Sequence, residues 1–299
     1  MLLRRLLPIF VLAVLVQTAG SAAHKPSFIV DSHIHLRANE QWLKDMVKTY
    51  RARNAIACVL ARYDDFEFAQ RIQKEYPDVF IPYVYIDLDD PDNISQIDTA
   101  YRAGWKGVKM HISRYDYDDE RYFPVYARIE KYGMLALWHT GVSARSYDGV
   151  PVITGFGKAR PVHLDTICRA FPKMQLQGAH FGNPWYEAAA EACRWNPNLK
   201  FDITGSTLHK MKDRLEEFSN ILWWDPSLSG THSPGGLKHA FQSLVFGTDE
   251  GPSGLEGNIE RFQNLLDVNK VPDNVRDDLW WRTSARRLGM EEELSKRAR

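Results

Sequence analysis

Apolar residues in this chain fall into short, nearly unbroken runs. Between them lie longer stretches in which apolar positions recur every three or four residues. The runs predict strands at Ser27–His33, Asn54–Ala61, Val79–Asp87, Trp105–Ile112, Met134–Thr140, Met174–Phe181, Leu199–Gly205 and Ser243–Asp249. Several are apolar almost throughout, as parallel strands covered on both faces must be. The amphipathic stretches Glu40–Arg53, Asp65–Tyr76, Ile94–Arg102 and Trp185–Trp195 predict helices, and Val275–Leu288 predicts a last helix that closes the chain. Eight strands alternating with helices over this length predict an α/β fold, a (β/α)8 TIM barrel. The competing topology is an open doubly wound sheet, but no glycine-rich phosphate turn follows the first strand.

The first residues read as an address. Arg4 and Arg5 precede the apolar run Leu6–Val16, and small or polar residues follow to Ala23, the pattern of a signal peptide over residues 1–23. The run is short for a membrane span, which needs about 20 residues; an uncleaved anchor is the alternative, and no later segment is apolar enough to cross a bilayer. The expectation is an exported protein, periplasmic or secreted and off the membrane after cleavage. Its residues 24–299 would form a single barrel domain, with no repeat or linker to mark a second.

Composition narrows the partners. The 38 basic and 38 acidic side chains cancel, so no overall field points to nucleic acid or an anionic membrane. A small-molecule substrate remains, and a homodimer is allowed for. Cys58, Cys168 and Cys193 lack metal-ligand spacing. Two could pair after export, but an odd count in a large domain predicts buried thiols. The long connection Ser206–Pro234, with Trp223 and Trp224, either covers the catalytic face or packs against the barrel rim.

Candidate chemistry gathers at strand ends. Asp31-Ser32-His33-Ile34-His35 ends the first predicted strand. Alternation along a regular strand turns residues 31, 33 and 35 one way, and two imidazoles so placed can share a metal ion. Two buried structural histidines would give the same motif. His139 ends the fifth strand, His180 the sixth and Asp249 the eighth, all at the face where barrel enzymes carry their chemistry. Imidazoles with a carboxylate suit one divalent metal, zinc by ligand type, with manganese or iron also compatible.

These residues resemble the amidohydrolase superfamily, in the branch that holds aminocarboxymuconate-semialdehyde decarboxylase, resorcylate decarboxylases and dicarboxylate lactonases. The resemblance spans nearly all of the mature chain. It includes Gly107-Val108-Lys109-Met110-His111, Phe171-Pro172-Lys173-Met174-Gln175, His180-Phe181-Gly182-Asn183-Pro184-Trp185, Asn196-Pro197-Asn198-Leu199 before Asp202, and Ser284-Ala285-Arg286-Arg287-Leu288. It implies that His33, His35, His139 and Asp249 bind the metal and that His180 acts beside it as acid, base or substrate orienter. Glu250-Gly251 after Asp249 and Ser284 depart from the relatives' usual text, the first at the rim of the site.

Other residues carry open alternatives. Lys109 could bridge two metals as a carbamate, as strand-four lysines do in other branches, or could pack or face substrate. His111 either approaches the site or is a hydrogen-bonded core histidine. Arg114, Arg145 and Arg160, in loops after strands four and five, could grip a substrate carboxylate or stay solvated. Asp31 could orient a ligand histidine. The leading expectation is hydrolysis of a lactone, ester or amide by metal-activated water, with Asp249 taking the water's proton. The same ligands serve a decarboxylase of a small aromatic or unsaturated acid, and a non-catalytic binding barrel is the third reading.

Overall fold

The computed structural model describes residues 26–111, 113–143, 156–223 and 239–298. The signal-peptide reading, Arg145, Trp224 and the Gly/Ser/Pro-rich part of the long connection lie outside them. Eight parallel strands follow one another around a single sheet: β1 (Ile29–His35), β2 (Ala55–Arg62), β3 (Phe80–Ile86), β4 (Gly107–Met110), β5 (Leu135–Trp138), β6 (Leu176–Gly178), β7 (Leu199–Asp202) and β8 (Leu244–Val245). Around them lie α1 (Glu40–Ala52), α2 (Phe66–Glu75), α3 (Asn93–Arg102), α4 (Phe123–Tyr132), α5 (Val162–Ala170), α6 (Tyr186–Trp195), α7 (Thr207–Lys210), α8 (Phe218–Ile221), α9 (Leu255–Val268), α10 (Asp273–Asp277), α11 (Thr283–Arg287) and α12 (Glu291–Ser295). This is a (β/α)8 TIM barrel.

Local rules account for the elements. In α1 the Asn39 side chain caps the backbone N–H of Trp42, and the buried Trp42, Leu43, Met46 and Tyr50 form one stripe against the sheet. Pro124 opens α4, and Gly133, at φ 63°, ends it in the left-handed conformation that glycine adopts without a Cβ clash. Every residue of β2 except Arg62 is buried, as expected when helices cover one face and the barrel interior the other.

Side-chain volume is balanced across the barrel. A Cβ on Gly107 would meet the ring of Tyr83 at 2.6 Å, and one on Gly178 would meet the ring of Phe201 at 2.0 Å. Each glycine admits an aromatic ring from the neighbouring strand.

The structure refines one expectation and decides between readings left open. The predicted closing helix is α10 and α11 joined through a π-helical turn, Asp278–Arg282, and the short α12 follows it. The turn buries Leu279, Trp280 and Trp281 and lets the Leu279 carbonyl accept from the Phe246 N–H. All three cysteines are buried and free, so none has paired. The described part of the long connection packs down rather than over the site: Leu208, Met211, Leu215, Phe218 and Leu222 are buried, and Phe218 meets the rings of Phe181 and Tyr186.

The seam between β8 and β1 is closed by few but well-placed bonds. Ser32 N–H donates to the Phe246 carbonyl at 3.0 Å and Asp249 N–H to the His33 carbonyl at 2.6 Å. The buried Asp31 carboxylate accepts from Thr248 N–H and Oγ1 and from the Tyr50 hydroxyl of α1.

Gly178→Ala should overpack the Phe201 ring and destabilise the fold by about 1–3 kcal/mol, with Phe201→Leu restoring part of the loss in the double variant. Denaturant midpoints of the three variants check this; an unchanged midpoint for Gly178→Ala contradicts the packing account.

Candidate metal centre

The register between β1 and β2 shifts between Asp31 and Ile34. This bulge breaks the alternation assumed from the sequence. Asp31 therefore does not share a face with the two histidines; its carboxylate meets Tyr50 and Thr248, while the His33 ring meets Asp202 and Lys109 inside the barrel. Nor does Asp31 orient an imidazole: it holds the backbone N–H groups of His33 and Thr248. Burial, opposed by these hydrogen bonds, raises its carboxyl to about 6.

His33, His35 and Asp249 converge. Asp249 Oδ1 lies 3.3 Å from His33 Nε2 and 3.4 Å from His35 Nε2, and the three form a group whose ligand atoms could hold a metal ion. His180 Nε2 stands 3.9 Å from Asp249 Oδ2. His139 is less close: its Nε2 bonds with Ser143 Oγ at 3.0 Å, and its ring lies 5.0 Å from that of His180 and 4.3 Å from that of His111. His139 is thus a ring neighbour of the cluster without joining the three-residue group. Lys109, buried, points its Nζ at His33 Nε2, 3.4 Å away. Arg114 keeps to the rim with its backbone N–H on Asp89, and Arg160 lies over the Trp185 ring at 5.1 Å.

Tautomers follow from the partners. Asp202, at the end of β7 and fully buried, is held well below the usual carboxylate range because the attraction and hydrogen bond of His33 outweigh the cost of burial. An ionised carboxylate only accepts, so His33 Nδ1 donates to Asp202 Oδ2 at 3.1 Å, the arrangement in which the neutral imidazole carries its lone pair on Nε2. Thr204 Oγ1 donates to Asp202 Oδ1 at 2.6 Å, so it accepts from His180 Nδ1 at 2.8 Å, and His180 Nε2 is also unprotonated. Gln177 Nε2 and His180 N–H complete the shell of Asp202, both at 2.9 Å. His33, His180 and Asp202 also lie near one another, but these hydrogen bonds account for that grouping.

Asp202, Thr204 and Gln177 are the residues that sequence reasoning left without a role. Asp202 stands at a strand end like the histidines and Asp249, and that position was the available signal.

Three of the five non-glycine residues with positive φ among the described residues stand here: His180 at 60°, Phe181 at 47° and Asp249 at 54°. Such left-handed residues persist where surroundings over-determine them. Here Thr207 Oγ1 donates to the His180 carbonyl at 2.7 Å, and Asp249 N–H is held by His33.

The donor set fits a divalent cation. Burial lowers His35 and His111 to about 3 and His180 to about 4, while His139 falls well below its ordinary value, so these imidazoles are neutral and offer lone pairs. Burial raises the Asp249 carboxyl, but His33, His180, His35 and Lys109 outweigh it and hold the group below its ordinary value. Lys109 itself falls to about 8 through burial, against the attraction of Asp249 and Asp202. Neutral imidazole nitrogens beside an ionised carboxylate are a ligand set that suits a divalent cation.

The family model described as amidohydrolase matches residues 43–290. The chain belongs to the amidohydrolase family. The match begins after β1, so it does not include His33 and His35. Among solved structures, an uncharacterized TIM-barrel protein from Bordetella bronchiseptica is 15% identical, with a TM-score of 0.58 over 90% of this chain and 99% of that one. The 5-carboxyvanillate decarboxylase from Sphingomonas paucimobilis is 10% identical, with a TM-score of 0.55 over 88% and 99%. A protein described as amidohydrolase II is 14% identical, with a TM-score of 0.53 over 87% and 99%. At these identities the likeness is one of fold. No curated relative matches the sequence.

The lowered imidazoles set a pH dependence. His35, His111 and His180 take up protons near 6.5 when unfolded but only near 3 to 4 when folded. The unfolded chain binds more protons in that interval, so stability falls as pH drops from about 6.5 toward 4. Asp31, raised to about 6, acts in the opposite sense, one group against three; half-exposed His35 contributes least for its shift. Denaturant midpoints taken in chelator across this range should decline, and a midpoint that holds or rises contradicts the assignment of neutral histidines.

Proposed function

We propose that this amidohydrolase is an exported, metal-dependent hydrolase that cleaves a lactone, ester or amide bond of a small substrate. His33, His35 and Asp249 would hold one divalent ion, with His139 as a further ligand reached by a small adjustment of its ring. Zinc suits the set best, and manganese or iron would also be accepted. Such an ion supplies Lewis acidity toward water and a carbonyl oxygen.

The observation that carries the reading is the pairing of an ionised Asp249 with the unprotonated Nε2 of His180, 3.9 Å apart beside the ligand histidines. Asp249 takes a proton from the attacking water. His180 Nε2 then receives it and delivers it to the leaving oxygen or nitrogen. The charged imidazole is stabilised meanwhile by the buried carboxylate of Asp202, linked to it through Thr204. Neither residue needs to move far, because Asp202 and the Thr204 hydroxyl fix the imidazole plane. The Arg4-Arg5 pair with Leu6–Val16 supports export, to the periplasm or the outside.

Purified protein should contain about one divalent ion per chain, and a chelator should abolish ester or lactone turnover until metal is returned. Asp249→Asn should lower kcat/KM by about 10³-fold and His180→Gln by about 10²-fold or more. Full turnover by metal-free protein or by Asp249→Asn refutes the assignment. Carbon dioxide release from aromatic acids without hydrolysis of any ester, lactone or amide identifies a decarboxylase instead.

A further inference from the structure

Arg62 is the last residue of β2 and the only exposed one in that strand. Its guanidinium lies over the ring of Tyr85, 5.3 Å from the centroid. That ring in turn lies 6.1 Å from the imidazole of His35 and 6.3 Å from that of His111. Arg62 therefore stands one aromatic ring away from His35 and His111, on the face of the barrel where the strands end.

Many arginines in this protein hold an acid. Arg51 pairs with Asp78, Arg53 with Glu256, Arg71 with Glu40, Arg121 with Asp119, Arg128 with Asp98 and Arg169 with Asp165. Among the described residues no acid does this for Arg62, whose guanidinium rests on the Tyr85 ring. Arg160 is also stacked, but on Trp185. Stacking matters because it restricts an otherwise floppy side chain, so less entropy is lost when the guanidinium takes up a ligand.

Charge is distributed unevenly around the site. The ionised carboxylates Asp202 and Asp249 belong to the β7 and β8 side, whereas Lys109 and Arg62 stand on β4 and β2. The charge of Arg62 reaches His111, where it helps disfavour protonation. A neutral substrate would gain nothing from an uncompensated guanidinium at that distance, but a carboxylate would bind it through two parallel hydrogen bonds.

We propose that Arg62 selects the substrate, gripping a carboxylate of a small acid whose reacting carbonyl lies at His35 and Asp249. This rests on the reading of the histidine cluster as the active site, and it narrows the substrate class to carboxylated lactones, half-esters or half-amides. Arg62 takes no part in bond cleavage; it sets which molecules are held.

The test is equilibrium binding of 3-acetylbenzoate and of 1,3-diacetylbenzene to the metal-loaded full chain by titration calorimetry. Both bring a ketone carbonyl, which cannot be hydrolysed, to the cation, and only the acid brings a carboxylate. The wild type should bind the acid at least about tenfold more tightly. Arg62→Met should erase that preference while leaving diketone affinity and metal content unchanged, and Arg62→Lys should keep part of it. Equal binding of the two ligands by the wild type, no binding of either, or an undiminished preference in Arg62→Met overturns the proposal. Because no turnover is measured, a chain that binds the acid through Arg62 yet hydrolyses nothing refutes the hydrolase reading alone. A hydrolase indifferent to the carboxylate refutes only this one.

Discussion

The hydrogen bond between His33 Nδ1 and the buried carboxylate of Asp202 is the constraint on which the centre rests. Without a fixed acceptor at Nδ1, the proton of a neutral imidazole could sit on either nitrogen, and His33 would face Asp249 with a donor as often as with a lone pair. Asp202 removes that choice. Through Thr204 it does the same for His180, and through the His180 N–H it holds the left-handed turn on which that residue sits. One carboxylate thus sets two tautomers and one backbone conformation. Burying it is costly, and the cost is offset because each of its oxygens accepts from more than one donor.

The second constraint is the seam. With β8 reduced to two residues, the position of Asp249 depends on bonds to β1 more than on its own strand. Asp31 joins the same seam from the helix side, clasping Thr248 and Tyr50. The bulge in β1 therefore has two results. It turns Asp31 toward this clasp, and it leaves His33 directed into the barrel, so fold closure and cation site arise from one irregularity.

Much of the fold was legible in the apolar runs, because parallel strands buried on both faces leave a signal that does not depend on partners far along the chain. The histidines and Asp249 were legible for a related reason: they stand just past those runs, where a barrel places its open face. The remainder was hidden by geometry. Strict alternation put Asp31 beside His33, and nothing local marks the extra residue in β1. Asp202 looked like any strand-end acid, since its partner lies 169 residues away. The rings of His35, Tyr85 and His111 come from β1, β3 and the position just after β4, so the wall they build with Arg62 exists only after closure. His139 shows the limit of the strand-end argument, which brought it to the correct face but could not give its distance from the three-residue group.

The bonds around Asp202 tie together β1, β6 and β7, and those of the seam add β8. The loops that follow β2 and β3 donate nothing to either set. Two halves of one mouth are therefore under different pressures: one must be kept almost atom for atom, while the other can drift. Laboratory evolution toward new substrates should find most of its tolerated changes on that second half, and grafting loops there should alter what enters without disturbing the chemistry beneath.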